Sequence, residues 1–163
     1  MSELELTRCS PGRRLYSLEG VGTVRLEGLL GRTATAVADN ETWRLSRRGF
    51  WQRGMEARDG ADTVAGEYEP RGARRGGVIR WHGRELKLEP TSAFRERYSL
   101  TEPDEDPIIL DGHGWGKRPV RIVVPQLDST DPGLLLFATF VVHQLAGDTA
   151  TAAAASANVA ATG

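Results

Sequence analysis

Between Leu134 and Val142 the chain carries a single polar side chain, Thr139, although charged residues make up 26% of the whole. No comparable run occurs elsewhere, and apolar surface of that density has to leave water. Asp131 or Thr130 can cap a helix start, with Pro132 at the first helical position. Gly147 is a plausible stop, so the spacing predicts a helix over residues 132–146. On a helical wheel Thr139 and His143 share one narrow stripe and Gln144 stands apart. Leu134, Leu135, Leu136, Phe137, Phe140, Val141, Val142 and Leu145 fill the remaining directions. A helix apolar nearly all round must be enclosed, by protein or by lipid. Lipid fits less well: a span needs about 20 apolar residues, and His143 and Gln144 interrupt this run. No lysine or arginine face is present for an interfacial anchor. A strand over the same residues stays open, since Phe140, Val141 and Val142 favour sheet, but the capped start and the length favour the helix.

What could enclose it is the rest of the chain, which reads as short strands. VGTVRLEG alternates apolar and polar residues. RTATAVADNETWRLSRRG turns at Asp39-Asn40, FWQRGMEARDGADTVAGEYEP at Asp59-Gly60, and GGVIRWHGRELKLEP at His82-Gly83, all hairpin signals. FRERYSLTE, PIILDG and RPVRIVVPQ continue the pattern. Roughly ten or eleven strands at 8–12-residue spacing, with no helix between them, predict an antiparallel all-β fold. A closed barrel of about a dozen strands has an interior that needs filling, and one hydrophobic helix fills it. Residues 1–14 are expected to be a loose lead-in, 15–147 the barrel with its central helix, and 148–163 a low-complexity alanine-rich tail that can carry the helix on for a turn or more but, with no apolar stripe to pack, frays or is disordered.

Length and charge narrow the function classes. The 163 residues suit one domain, and 21 basic against 22 acidic residues give no basic excess of the kind a nucleic-acid binder shows. Cys9 is the sole cysteine, so no internal disulfide can form. The opening MSELELTRCS lacks a signal-peptide core, which sets the expectation of a cytoplasmic protein.

The layout of short strands followed by a C-terminal hydrophobic helix, approached through DSTDPGLLLFATFVVHQL, resembles the tubby C-terminal-like superfamily. The chain is most similar to the small bacterial LURP-one-related kind, and also resembles the phospholipid scramblase fold. The resemblance covers about Leu15 to Ala146 and rests on layout rather than on a sharp motif. It implies a twelve-stranded barrel around a central helix, and functions centred on membranes: phosphoinositide head-group binding in tubby domains, lipid movement attributed to scramblases. The LURP-one-related branch has no agreed biochemical activity. This chain lacks the cysteine-rich segment and membrane-exiting extension of scramblases, and shows no lysine-arginine pocket placeable on the tubby head-group site.

Among candidate sites, Arg71, Arg74, Arg75, Arg80 and Arg84, in a glycine-rich setting with Trp81 nearby, offer the best anion or head-group contacts. Arg47, Arg48 and Arg53 around Phe50 and Trp51 repeat the idea more weakly. His82, His113 and His143 lack metal-ligand spacing, and the acidic TEPDEDP stretch lacks a calcium-loop pattern. GHGWGK is not a phosphate loop, and Trp115 is expected to seal the barrel. No catalytic set is present. The expectation is a non-enzymatic binding module, with no cofactor or metal, whose partner is an anionic membrane surface. The alternative is a scaffold meeting an unknown protein.

Overall fold

The computed structural model describes residues 1–9, 12, 14–49, 53–72, 75–92, 96–112 and 120–161. They form β1 (Ser2–Arg8), β2 (Leu15–Leu18), β3 (Gly22–Glu27), β4 (Thr33–Ala38), β5 (Glu41–Arg47), β6 (Met55–Arg58), β7 (Val64–Pro70), β8 (Gly77–Trp81), β9 (Arg84–Pro90), β10 (Arg97–Thr101), β11 (Ile108–Asp111) and β12 (Val120–Val124). After a 3₁₀ turn at Leu127–Ser129 comes α1 (Pro132–Ala161). Each strand pairs antiparallel with its neighbours in the chain, and β1 pairs with β12, so the meander closes into a barrel.

The closing strand lies in the segment expected to be a loose lead-in. Leu4 and Leu6 point into the barrel while Glu3 and Glu5 face water, and the register runs from Ser2↔Val124 to Leu6↔Val120. Two leucines are a weak periodic signal in isolation. They suffice here because β2 and β12 would otherwise both be unpaired edges.

The hairpins show turn chemistry at work. Asp39 and Asn40 both have positive φ (46° and 66°), as do His82 and Gly83 (47° and 81°), so each pair forms a two-residue turn of the kind that matches strand twist. Asp59-Gly60 does not turn in two residues. The loop runs from 59 to 63 because Asp59 Oδ1 accepts hydrogen bonds from the Ala61 and Thr63 amides, at 2.9 and 3.0 Å.

Helix α1 threads the barrel. Asp131 Oδ1 accepts from the amides of Gly133 (2.8 Å) and Leu134 (3.2 Å), capping the start as the sequence predicts. Every residue from 133 to 142 is buried. The wall is uneven: α1 runs closest to β3 and β4, where Ala34, Ala36 and Ala38 point inward. A Cβ on Gly22 would come within 3.1 Å of Leu136 Cδ1. Bulkier side chains fill the wall from β5 onward, where Trp43 (paired with Ala36), Tyr68, Trp81 and Tyr98 are all buried. Phe137 stacks on Trp81 with ring centres 5.8 Å apart. Gly133 passes between Trp43 and Trp81, where any Cβ would lie 2.5–2.9 Å from their rings. These indoles close the end where α1 goes in; Trp115, expected to be a seal, lies outside the described residues.

Two polar side chains travel into this core. Thr139 Oγ1 donates to the Leu135 carbonyl one turn back (2.7 Å), and Gln144 Nε2 donates to the Gly31 carbonyl at 2.7 Å, so neither is buried unsatisfied. The helix does not stop at Ala146. It continues to Ala161, because glycine inside a helix costs only about 1 kcal/mol and the alanines that follow are the best helix formers. By length and composition α1 could cross a membrane, but its apolar half is inside the strands.

Candidate functional site

An up-and-down barrel sorts its loops by parity. Define the lower end as the one where α1 goes in and the upper end as the one where it comes out. The lower end carries loops 19–21, 39–40, 59–63, 82–83 and 102–107 and the approach 125–131. The upper end carries, of the described residues, 9, 12, 14, 28–32, 48–49, 53–54, 71–72, 75–76, 91–92, 96 and 112.

Charge follows the same division. The lower loops hold Glu19, Asp39, Asp59, Asp62, Glu102, Asp104, Glu105, Asp106, Asp128 and Asp131, with no lysine or arginine. The upper loops, among the described residues, hold Arg14, Arg32, Arg48, Arg53, Arg71 and Arg75 against Glu96 alone. A formal net charge of −1 therefore conceals a molecule with one basic and one acidic end. At about 3.3 Å per residue, strands of four to seven residues span roughly 13–23 Å between the ends, about two Debye lengths at physiological salt.

This geometry redistributes the arginines singled out in the sequence. Arg71 and Arg75 lie on the β7–β8 loop at the upper end, whereas Arg74 lies outside the described residues, as do Phe50 and Trp51. Arg80 sits mid-strand on the outer wall, its guanidinium 2.9 Å from Glu69 and 3.4 Å from Glu85 on the flanking strands. Arg84 follows the His82-Gly83 turn at the lower end and binds Glu102 through both Nε and Nη2. That pairing raises the arginine and lowers the carboxyl from their ordinary pKa values. The four that are described do not converge. Arg71 and Arg75 instead join Arg14, Arg32, Arg48 and Arg53, which the sequence reading did not group with them.

The upper rim is braced from within. Arg75 Nη1 reaches Glu96 Oε1 at 2.6 Å, and Glu96 Oε2 also accepts from the Tyr98 hydroxyl at 3.1 Å, joining two loops. Arg48 contacts Glu56 and Glu67 on the adjoining strands. Arg14 donates to the carbonyls of Gly28 (2.9 Å) and Leu29 (3.1 Å). Where α1 emerges, Arg47 grips Asp148 through two 2.8 Å hydrogen bonds, which raise the arginine's pKa. A 180 Å³ groove there is lined by Leu30, Arg32, Arg47, His143, Gln144 and Asp148. Burial pushes the His143 imidazole down to about 4, so it is neutral at physiological pH and adds no charge to the rim.

The lower end has a larger cleft of 610 Å³ between the 102–106 loop and the approach to α1, bordered by Arg84, Glu102, Asp104, Gln126 and Thr130. Among the described residues no group of three or more histidine, cysteine, aspartate or glutamate side chains is placed to hold a metal ion. His113 lies outside the described residues.

No family model, curated protein or solved structure matches this chain.

Proposed function

We propose that this protein is a tubby-like barrel that binds anionic lipid head groups with its upper end, as a non-enzymatic module peripheral to the cytoplasmic face of a membrane. The observation that carries the reading is the sorting of loop charge: arginines at one end, carboxylates at the other. An anionic bilayer contributes about 1 kcal/mol per basic residue near its surface, and arginine suits phosphate because its planar fork makes paired hydrogen bonds. Arg48 and Arg75 are partly neutralised by their glutamates. Arg53 and Arg71 are exposed and carry no ion pair among the described residues. The acidic end favours orientation, since it is repelled by the surface that attracts the other. The resemblance to membrane-associated tubby-like proteins points the same way, although the proposed contact is a rim of loops rather than a single pocket.

The test is vesicle flotation with phosphatidylcholine alone and with added phosphatidylglycerol. Binding is expected only with the anionic lipid, and is expected to weaken as salt rises. Arg53→Glu with Arg71→Glu should weaken it about tenfold or more. Arg25→Glu with Arg44→Glu changes net charge equally on the exposed outer wall and should weaken it much less. Equal losses from both pairs would mean that total charge, not the rim, does the binding. No flotation with anionic vesicles would favour a protein partner instead.

A further inference from the structure

We infer that Leu29 and Leu30 form a wedge that enters the head-group boundary of an anionic bilayer when the upper end docks, an inference that rests on the reading just proposed. The two are adjacent at the tip of the β3–β4 loop and are 94% and 77% exposed. Single exposed leucines are ordinary on protein surfaces. What distinguishes this pair is that the fold holds it outward. Gly28 and Gly31 bracket the leucines with φ of +74° and +61°, a conformation glycine adopts without strain.

From one side Arg14 donates to the Gly28 and Leu29 carbonyls, and from the other the buried amide of Gln144 donates to Gly31. Three hydrogen bonds, one of them from the core helix, thus fix a loop whose side chains contact water. A loop held in place in advance loses less entropy on binding than a mobile one.

The surroundings indicate lipid as the occupant. Arg32 follows the leucines by two residues and lines a groove with Leu30, and Arg14 reaches the same loop from the β1–β2 connection, on the end of the barrel that collects basic residues. Apolar tips beside basic residues are the combination that interfacial membrane binding uses. The part of α1 beyond Asp148 also leaves through this end, and residues 149–161 contain no ionisable side chain. No charge on that segment opposes approach to a bilayer.

The experiment places an environment-sensitive fluorophore on Leu30→Cys, with Cys9→Ser to remove the exposed native thiol. A reference label goes on Asn40→Cys at the lower end. Vesicles of phosphatidylcholine with phosphatidylglycerol are added, with and without a quencher attached to the acyl chains. The position-30 label is expected to shift to the blue and be quenched by the lipid-bound quencher, while the position-40 label changes little. In the unlabelled protein, Leu29→Ser with Leu30→Ser is expected to weaken vesicle binding about tenfold and to leave the urea midpoint unchanged, because both side chains are already in water. Undiminished binding by that variant, with position 30 still in water, would overturn the wedge and leave the charged-rim reading standing. Failure of the parent protein to bind anionic vesicles would overturn both.

Discussion

Replacing Phe137 by alanine is expected to lower stability by about 3–5 kcal/mol, a large fraction of the 5–15 kcal/mol that holds a typical domain together. Phe137 is fully buried in the enclosed N-terminal half of α1 and stacks on Trp81, whose ring lies 5.9 Å from that of Trp43. Deleting the phenyl ring removes its transfer free energy and leaves a void. The surroundings cannot collapse readily, because each strand is hydrogen-bonded on both sides around the closed sheet. Costs at the high end of the range follow from that rigidity. Urea unfolding followed by tryptophan fluorescence measures the effect. Val159→Ala, on the exposed part of the same helix, should shift the midpoint very little. A loss below about 1 kcal/mol for Phe137→Ala would mean that the ring is not enclosed.

Deleting residues 1–8 is expected to be more damaging still, abolishing cooperative folding. Those residues supply β1, which pairs with β12 over Ser2↔Val124 to Leu6↔Val120 and with β2 over Leu6↔Leu18 to Arg8↔Tyr16. The deletion leaves both neighbours with unpaired backbone groups, and such edges invite association. It also exposes the side of the core covered by Leu4 and Leu6. The shortened chain should show a broadened or absent urea transition and a tendency to associate. A sharp transition with the full-length denaturant slope would show that the barrel does not need its first strand.

These two sites also mark where the sequence was and was not legible. The core helix was legible because its apolar side chains point in nearly every direction and Asp131-Pro132 opens it. The turns at Asp39-Asn40 and His82-Gly83 were legible because left-handed conformations select those residue types. β1 was missed because Leu4 and Leu6 alternate too briefly to register unless the barrel's need for a closing strand is known. The full length of the helical tail was missed by giving Gly147 more weight as a stop than its small helix penalty warrants.

The candidate site was the least legible part, for a topological reason. Arg75, Arg80 and Arg84 are close in sequence but belong to the top, middle and bottom of one hairpin. Arg14, Arg32, Arg53 and Arg71 are far apart in sequence yet fall on loops of the same parity. Net composition averages over that parity, and only a complete strand count reveals it. Leu29 and Leu30 gave a further signal: two leucines between glycines in a turn contribute to no strand or helix pattern.

Amide hydrogen exchange along α1, read by mass spectrometry on native protein, tests the central claim most directly. Residues 134–145, inside the barrel, should exchange only with global unfolding, as slowly as the paired strands β4 and β8. Residues 149–161, on the same helix but outside the sheet, should exchange orders of magnitude faster. If the two halves of α1 exchange at the same rate, the helix is not enclosed, and the account of a barrel built around it, with its ends sorted by charge, is contradicted.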